Sequence, residues 1–423
     1  MARDHRKSRF IPFRKADIVD MCIRDAGLTG DEIEEFRQFS QILEALFHFE
    51  FQQRLETLKK SYAPFNPDTD TRLLAEVSEK ERRLLQKQLI DEMTAVLNVA
   101  NFERITAEDL AQALTEESLF KIRLEVDFDD FEDVIFFRRG ESVRQETLRQ
   151  LGGLRKKSFS FTSYDRVAVY VKFKDADYFE DRRRKKLPFV PGSTIIKLFH
   201  NVPKADLEML FPNSTVRMKT VDKLIIGVPA AVSGIILLFT KLGASLILIA
   251  AVISFWLGFG NEEVRLSQKH LIALGAGLGT LGGFLFRQIN KFKNRKIKFM
   301  KALSENLYFK NLDNNIGVFY HLVDAAEEEE FKEAVLAYYF LLTAGRPQSQ
   351  KELDDRIEKW FEHHWNCSLN FEIVDALKKL ERLELVRRDG VELCALPLAE
   401  AKRRLDFIWD NYFAFNAISK TNV

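Results

Sequence analysis

A cluster of carboxylates near residue 130 is the part of the sequence whose residue types most directly suggest metal chemistry. Its members are Asp127, Asp129, Asp130, Glu132 and Asp133. Closely spaced carboxylate oxygens are the ligands that Mg²⁺ and Ca²⁺ take. The cluster lacks the glycine and the closing glutamate of an EF-hand loop, so a solvated turn between two strands is the alternative. We expect no bound metal, and an enzyme that uses this cluster with Arg138 and Arg139 stays open as a hypothesis.

The glycines between residues 275 and 283 fit two different patterns. Gly277, Gly279 and Gly282 match G-x-G-x-x-G, which cradles a pyrophosphate when it follows a strand. The acidic residue that this fingerprint places about twenty residues later is missing, because that zone is basic. Gly275, Gly279 and Gly283 instead repeat G-x-x-x-G, which lets two membrane helices approach closely. The sequence favours helix packing at these last three glycines.

No nucleophile with an evident base can be named from the sequence. It contains no G-x-x-x-x-G-K-[ST], H-E-x-x-H or G-x-S-x-G motif. His363 and His364 lie near Cys367, but neighbouring histidines on a helix diverge by about 100° and cannot readily share one ion. Cys22 and Cys394 add no paired spacing, so neither a disulfide framework nor a cysteine zinc site is indicated. We therefore expect no cofactor and leave the catalytic residues unassigned.

The strongest functional signal is a run of positive charge directly after the last apolar stretch. It contains no acid between residues 287 and 301, and its basic residues are Arg287, Lys291, Lys293, Arg295, Lys296, Lys298 and Lys301. Beside a membrane, each gains about 1 kcal/mol from anionic lipid. Orientation by the positive-inside rule is an alternative, and both can hold together. Lys241, among apolar residues, either lines a polar path in an oligomer or snorkels at a turn.

Three apolar stretches precede this basic run: Leu224–Thr240, Ala244–Gly260 and Leu271–Phe286. Each would rise about 25 Å as a helix, slightly less than the roughly 30 Å apolar core of a bilayer. Basic residues flank the region on both sides, which favours both ends on the cytoplasmic side and an even number of spans. We predict a Gly-rich transmembrane helical hairpin with the remaining stretch re-entrant or interfacial, and three full spans stay open.

The rest of the sequence has the patterns of folded domains. Asp31 is the predicted N-cap of a helix that runs to about Tyr62 and whose apolar residues recur at helical spacing, and Ser78 with Glu81 fits a capping box. Strand-like alternation dominates the next hundred residues. Near the carboxyl end, Phe331–Thr343 is a predicted apolar helix, and Ser349 with Glu352 fits a capping box that starts a second. With a third helix and a hairpin around Asp389-Gly390, they outline a winged helix. Mixed charge on its third helix is poor phosphate-binding surface, so an interaction or packing module is favoured.

These patterns together predict a mixed α+β membrane protein in four parts. The 423 residues divide into an N-terminal helical domain at 1–118, a small α+β domain at 119–215, a transmembrane region at 216–301 and a C-terminal winged-helix-like domain at 302–423. The formal net charge is only +1, so no global field draws the chain to nucleic acid. We expect no nucleic-acid partner.

Several phrases resemble an uncharacterised membrane-protein family, that of domain of unknown function 3754, the transmembrane protein 143-like proteins. The phrases are Arg9–Pro12, Tyr62–Asp68, Phe199–Leu210, Asn306–Asn315 and Trp409–Phe413. The resemblance implies a membrane location and brings no activity or catalytic residue. Because the chain starts almost at the first phrase, we expect a bacterial inner membrane with both soluble parts cytoplasmic, or a mitochondrial inner membrane if the source is eukaryotic.

Three functions follow as expectations. The first is a membrane-anchored interaction, scaffold or regulatory protein, whose partners are the lipid bilayer, anionic lipid headgroups and a protein partner or a second copy. The second is an oligomeric channel or transporter, motivated by Lys241 and the glycines. The third is the membrane-associated enzyme that uses the acidic cluster.

Overall fold

The computed structural model describes residues 8–25, 27–72, 74–75, 77–115, 123–150, 155–181, 187–217, 232, 235–236, 250, 253–257 and 268–413. The helices are α1 Lys15–Arg24, α2 Gly30–Tyr62, α3 Glu79–Val99, α4 Ala107–Thr115, α5 Ala176–Asp181, α6 Gln268–Lys310, α7 Ile316–Leu342, α8 Gln350–Trp365, α9 Ile373–Arg382 and α10 Leu398–Asp410. The strands are β1 Glu103–Arg104, β2 Arg123–Glu125, β3 Phe131–Gln150, β4 Arg155–Phe173, β5 Thr194–Pro203, β6 Thr215–Arg217, β7 Asn311–Asn314, β8 Gln348–Ser349, β9 Val386–Asp389 and β10 Glu392–Ala395.

The chain divides into two compact units. The first unit combines Met1–Ala113, Asp129–Lys204 and Lys310–Val423, and the second combines Leu114–Phe128 and Ala205–Phe309. Each unit therefore joins stretches that are far apart in sequence. In the second unit, β2 pairs antiparallel with β6, and most of α6 belongs to this unit.

The N-terminal helices begin and end where local side chains satisfy the backbone. Thr29 is the N-cap of α2 and forms a capping box with Glu32, so the cap lies two residues before the predicted Asp31. The helix ends at Tyr62, before a 3-10 turn that contains Pro64. Ser78 caps α3 by accepting from the backbone N–H of Glu81, as the sequence predicts.

Helix α7 is the centre of the first unit. Packed against α1, α2, α3, α8 and α9, it is buried along most of its length. The sequence predicts an apolar helix only over Phe331–Thr343 and leaves the preceding Glu327–Glu330 outside it. The helix instead begins at Ile316 and buries part of that run, which finds partners from distant parts of the chain.

An antiparallel sheet of five strands belongs to the same unit, in the order β1-β3-β4-β5-β7. Strand β4 lies in the middle, where Tyr170 pairs with Ile135 of β3 and Ile196 of β5. The Tyr62 hydroxyl donates to the backbone carbonyl of Thr194 at 2.8 Å, which fixes α2 on the sheet. Only the inner halves of β3 and β4 are predicted from sequence, at Val134–Phe137 and Arg166–Phe173.

The C-terminal elements follow the predicted order of helices and hairpin. Ser349 and Glu352 form the capping box at the start of α8. Strands β9 and β10 form an antiparallel hairpin, with Gly390 at φ +60° in its turn and β8 on the other side of β10. Helix α10 packs against α2, so this region shares one core with the N-terminal helices.

The predicted transmembrane helical hairpin is wrong for the part of the chain that the structure describes. None of its helices has both the length and the apolar composition that crossing a bilayer requires. Most of Leu224–Thr240 and Ala244–Gly260 lies outside the described residues. Leu271–Phe286 is the first part of α6, which continues through the basic run to Lys310. Its apolar part is only these 16 residues, which is shorter than the roughly 20 residues that a helix needs to cross a bilayer.

Candidate functional site: a basic helix and a buried charge network

Helix α6 presents four of its positive charges on one face, whereas exposed Lys293 lies on the other side of the helix. Among the seven predicted lipid-contacting residues, Arg287, Lys291, Lys293, Lys298 and Lys301 are exposed. At about 100° per residue, all of these except Lys293 fall within an arc of roughly 80°. The side chains of the other two, residues 295 and 296, lie outside the described part of the helix. The described residues thus place four cations in one basic face.

Apolar side chains lie exposed on the opposite side of the same helix. Leu285, Ile289 and Met300 are 51%, 53% and 50% exposed and fall within an arc of roughly 60°. Their mean direction is nearly opposite to that of the basic face. Phe286 and Ile297 flank this apolar face and are 67% and 60% exposed. A helix with one basic and one apolar face is the pattern of segments that lie in a membrane interface.

The predicted packing glycines lie in the first part of α6. A methyl group added at Gly275, Gly279 or Gly283 would meet no described atom within 4 Å. Their proposed role in helix packing therefore stays a prediction. Gly277 and Gly282 also lie inside this helix, so the strand and loop that a pyrophosphate fingerprint requires do not form there.

The acidic cluster is spread over a 3-10 turn and the start of β3. Glu132 lies 3.5 Å from the Lys172 ammonium and accepts from Gln86 at 3.3 Å. Asp130 is buried, and its backbone carbonyl accepts from the N–H of Lys174. Within the described ranges, no group of three or more histidine, cysteine, aspartate or glutamate side chains could hold a metal ion.

The two arginines grouped with the acidic cluster point to other partners. Arg138 bridges Glu103 at 3.1 Å and Glu141 at 2.5 Å. Arg139 is half-buried, with its guanidinium 4.2 Å from the centre of the Phe10 ring, and desolvation lowers its pKa to about 10. The structure therefore does not gather the predicted enzyme residues into one site.

A buried ion pair lies on α7. Lys332 and Glu329 are 2.5 Å apart, with side chains 1% and 0% exposed. Lys332 also donates to the backbone carbonyls of Ile11 at 2.9 Å and Phe13 at 3.1 Å, and the N–H of Ile11 donates to Glu329 at 3.1 Å. Buried charges are tolerated only when they are paired and hydrogen-bonded. The pair therefore fastens the N-terminal segment to the central helix.

A second buried pair continues this network through Asn101. Its side-chain amide donates to Glu329 at 2.9 Å and to Glu333 at 3.3 Å. Lys379 of α9 contacts Glu333 at 2.6 Å and Glu330 at 2.8 Å. Burial raises the pKa of Glu333 to about 7, against the opposing charge of Lys379. Burial alone would lower the pKa of Lys379, but the two carboxylates outweigh it and raise that pKa.

An open cavity of about 380 Å³ borders this second pair. Its mouth carries both signs of charge, and the pairs within it include Arg382 with Glu50 at 2.7 Å and Lys378 with Asp375 at 3.0 Å. Five cationic and four acidic side chains line the cavity, so most of its charge is paired within the lining. None of the predictions from sequence includes this network of buried charges. The sequence signal that could have indicated it is the spacing of Glu329 and Lys332, which lie three residues apart beside the apolar part of a helix.

The remaining predicted residues do not form a site. Nδ1 of His364 lies 3.2 Å from the backbone carbonyl of Trp360, and Cys367 is half-buried beside the end of α8. Lys241 lies outside the described residues.

Comparison with known proteins identifies a family for part of the chain. Residues 164–317 match the family described as Protein of unknown function (DUF3754). The matched stretch runs from within β4, through α6 and its basic face, to the first residues of α7. No solved structure matches the chain.

Proposed function

We propose that this chain is a non-catalytic interaction or regulatory protein that docks on an anionic membrane surface through residues 285–301 of α6. The observation that supports this most is the division of that segment into two opposite exposed faces. The basic face would contact lipid phosphates, and the apolar face would enter the boundary between headgroups and acyl chains.

The estimated binding free energies indicate that α6 needs both its basic and its apolar face to bind a membrane. The four cations of the basic face contribute at most about 4 kcal/mol on an anionic surface, because Lys301 also lies 3.6 Å from Glu305. A free energy of about 4 kcal/mol corresponds to a Kd near 1 mM. Leu285, Ile289 and Met300 are half exposed, and completing their burial adds about 1 kcal/mol each. The sum of about 7 kcal/mol corresponds to a Kd of roughly 10 µM. Binding of this strength is reversible, which suits a regulatory protein.

Vesicle co-sedimentation of the full chain tests the proposal. The wild type should sediment with phosphatidylglycerol vesicles and not with phosphatidylcholine vesicles. Neutralising the basic face with Arg287→Gln, Lys291→Gln, Lys298→Gln and Lys301→Gln should weaken binding at least tenfold. The matched control removes the same charge from exposed positions on α3 and α8, with Lys80→Gln, Arg83→Gln, Lys87→Gln and Lys351→Gln. Equal losses in both variants would reject a specific role for the basic face.

The finer family assignment, to the transmembrane protein 143-like proteins, is also a proposal. Two of its characteristic phrases, Phe199–Leu210 and Asn306–Asn315, lie inside the matched residues 164–317. The channel and enzyme hypotheses gain no specific observation from the described residues. Flux across proteoliposomes and calorimetry with divalent cations remain their respective tests.

A further inference from the structure

The open cavity beside the buried charge network has the size of a small-molecule site. Helices α2, α3, α7 and α9 and the N-terminal segment all contribute to its lining, and all of its lining residues belong to the first unit. Its volume of about 380 Å³ falls within the range of roughly 300–1,000 Å³ that ligand pockets have. A small ligand can therefore enter it from solvent.

The least exposed charged side chains of the lining carry an excess of negative charge. Glu333, Lys379 and Glu330 are only 4%, 11% and 13% exposed, and they form the floor of the cavity. Two carboxylates therefore share one ammonium, and the adjoining Glu329 is already paired with Lys332. The attraction of Lys379 offsets only part of the burial that raises the pKa of Glu333 to about 7. The floor thus lacks one positive charge.

The carboxyl end of α3 adds to this negative character. Asn98 and Val99, the last two residues of the helix, line the cavity. The last carbonyls of a helix carry partial negative charge, which a cation stabilises. The last turn of α3 contains no basic residue that supplies such a cation. Both the floor and this helix end therefore favour a positively charged group in the ligand.

The more exposed charged side chains of the lining have the opposite excess. They form the rim, are between 24% and 70% exposed, and comprise Arg9, Arg54, Lys378, Arg382, Glu50 and Asp375. The two acids of the rim are already paired, Glu50 with Arg382 at 2.7 Å and Asp375 with Lys378 at 3.0 Å. The rim therefore offers positive charge to a ligand.

Two of the rim cations have their partners outside the cavity. Arg9 donates to Glu372 through one guanidinium nitrogen at 3.2 Å, and Arg54 lies 3.6 Å from Glu92, which is too long for a hydrogen bond. Neither glutamate lines the cavity. A guanidinium presents several N–H groups in a planar fork that fits a carboxylate. Among the contacts of the described residues, both arginines keep N–H donors for an anionic group.

A ligand that carries both charges fits this lining better than a simple ion. The rim repels a simple cation and the floor repels a simple anion, whereas a zwitterion complements both. Two apolar side chains, buried Phe51 and half-buried Val99, also line the cavity. They favour a ligand that has an apolar group beside its charges.

We propose that this cavity binds a zwitterion, an α-amino acid with an apolar side chain, whose ammonium meets the floor and whose carboxylate meets Arg9 and Arg54. Phe51 and Val99 contact its side chain. This inference goes beyond the proposed membrane docking and does not depend on α6.

Isothermal titration calorimetry of the full chain at pH 8 tests the ligand class. The probes are L-valine, L-leucine and L-phenylalanine, and at least one should bind. The matching amine without the carboxylate and the matching acid without the ammonium, isobutylamine and isovalerate for valine, should bind at least tenfold more weakly, because each loses its charge-assisted hydrogen bonds. No binding of any of the three amino acids, or equally tight binding of either analogue, would overturn the inference.

Charge variants test the two halves of the cavity. Glu330→Gln at the floor and Arg54→Gln at the rim should each weaken binding of the amino acid at least tenfold. Arg54 is 39% exposed, so its variant should keep the melting temperature of the wild type. The matched controls are the exposed Glu362→Gln on α8 and Arg83→Gln on α3, which should bind as the wild type does.

The same variants separate this inference from the helix proposal. Arg54→Gln should sediment normally with phosphatidylglycerol vesicles, and the α6 charge variant should bind the amino acid normally. If a folded Arg54→Gln variant binds the amino acid as tightly as the wild type, the assignment of the rim is overturned whatever α6 does.

Discussion

Lys332 and Glu329 hold opposite charges 2.5 Å apart on one helix with almost no access to solvent. Removing one partner leaves the other charged, buried and unpaired, which costs about 3–5 kcal/mol. We therefore predict that Lys332→Met lowers the free energy of unfolding by this amount in urea titrations. The loss should exceed that of an ordinary surface substitution by severalfold.

An exposed ion pair in the same unit provides the control for that prediction. Arg346 and Glu352 are 3.1 Å apart, but their side chains are 61% and 49% exposed. Arg346→Gln should cost less than about 1 kcal/mol, because water screens the pair. If Lys332→Met costs no more than Arg346→Gln, the buried pair does not stabilise the unit as described.

The raised pKa of Glu333 predicts a specific pH dependence. The folded protein binds a proton at this carboxyl up to about pH 7, whereas the ordinary glutamate value is 4.5. Since the folded state holds the proton more tightly, the stability from this group is greatest below pH about 4.5 and falls until about pH 7. The slope is at most about 1.4 kcal/mol per pH unit.

Replacement of Glu333 isolates this contribution. Glu333→Gln should gain stability relative to the wild type as the pH rises from 5 to 7, measured by urea unfolding at each pH. Glu352→Gln is the control, because its pKa is lowered by the N–H of Ser349 and that stability is lost only at acidic pH. For Glu352→Gln, the free energy of unfolding plotted against pH should run parallel to that of the wild type between pH 5 and 7. If the free energy of unfolding of Glu333→Gln also runs parallel to that of the wild type, the raised pKa of Glu333 is contradicted.

Alanine substitutions at two glycines with positive φ distinguish the free-energy cost of a steric clash from that of an unfavourable backbone conformation. Gly140 in β3 has φ +70°, and an added methyl group would contact the carboxylate of Asp165. Gly345 has φ +65° and open space. Gly345→Ala should cost about 1 kcal/mol, from conformation alone. Gly140→Ala should cost more in thermal unfolding. Adding Asp165→Ala should reduce the excess without abolishing it, because the Cβ of residue 165 lies 3.0 Å from the added methyl group. An equal cost for both glycines would show that the contact is absent.

The two faces of α6 should respond differently to salt. Ile289→Ser removes apolar burial, so vesicle binding should weaken by a similar factor at low and high salt. Lys298→Gln removes a charge, so its effect should be largest at low salt and fade as salt screens the surface. Titration with anionic vesicles at 50 and 300 mM salt measures both. Identical salt profiles for the two variants would argue against separate faces.

Local signals predict much of the fold because they act over a few residues. Ser349 and Glu352 are three residues apart and form the predicted capping box, and Asp389-Gly390 forms the predicted turn. The predicted N-cap of α2 is wrong by two residues, because Thr29 offers the better capping pair with Glu32. Element types are therefore more predictable than their ends.

The buried network depends on contacts that no local pattern contains. Glu329 receives the N–H of Ile11, which is 318 residues away in the chain, and Lys379 reaches Glu333 from another helix. In sequence, Glu327–Glu330 reads as a solvated run, since glutamates are almost never buried without partners. The predicted transmembrane hairpin is wrong for the described residues, because none of their helices is both long and apolar enough to cross a bilayer.

The orientation of α6 on a bilayer tests the central claim most directly. Single cysteines at Ile289 on the apolar face and at Lys291 on the basic face, in the Cys367→Ser, Cys394→Ser background, would carry the same environment-sensitive dye. With phosphatidylglycerol vesicles, we expect a blue shift and protection from an aqueous quencher at position 289, and neither at position 291. Equal responses at both positions, or none at either, would contradict docking of α6 in the membrane interface.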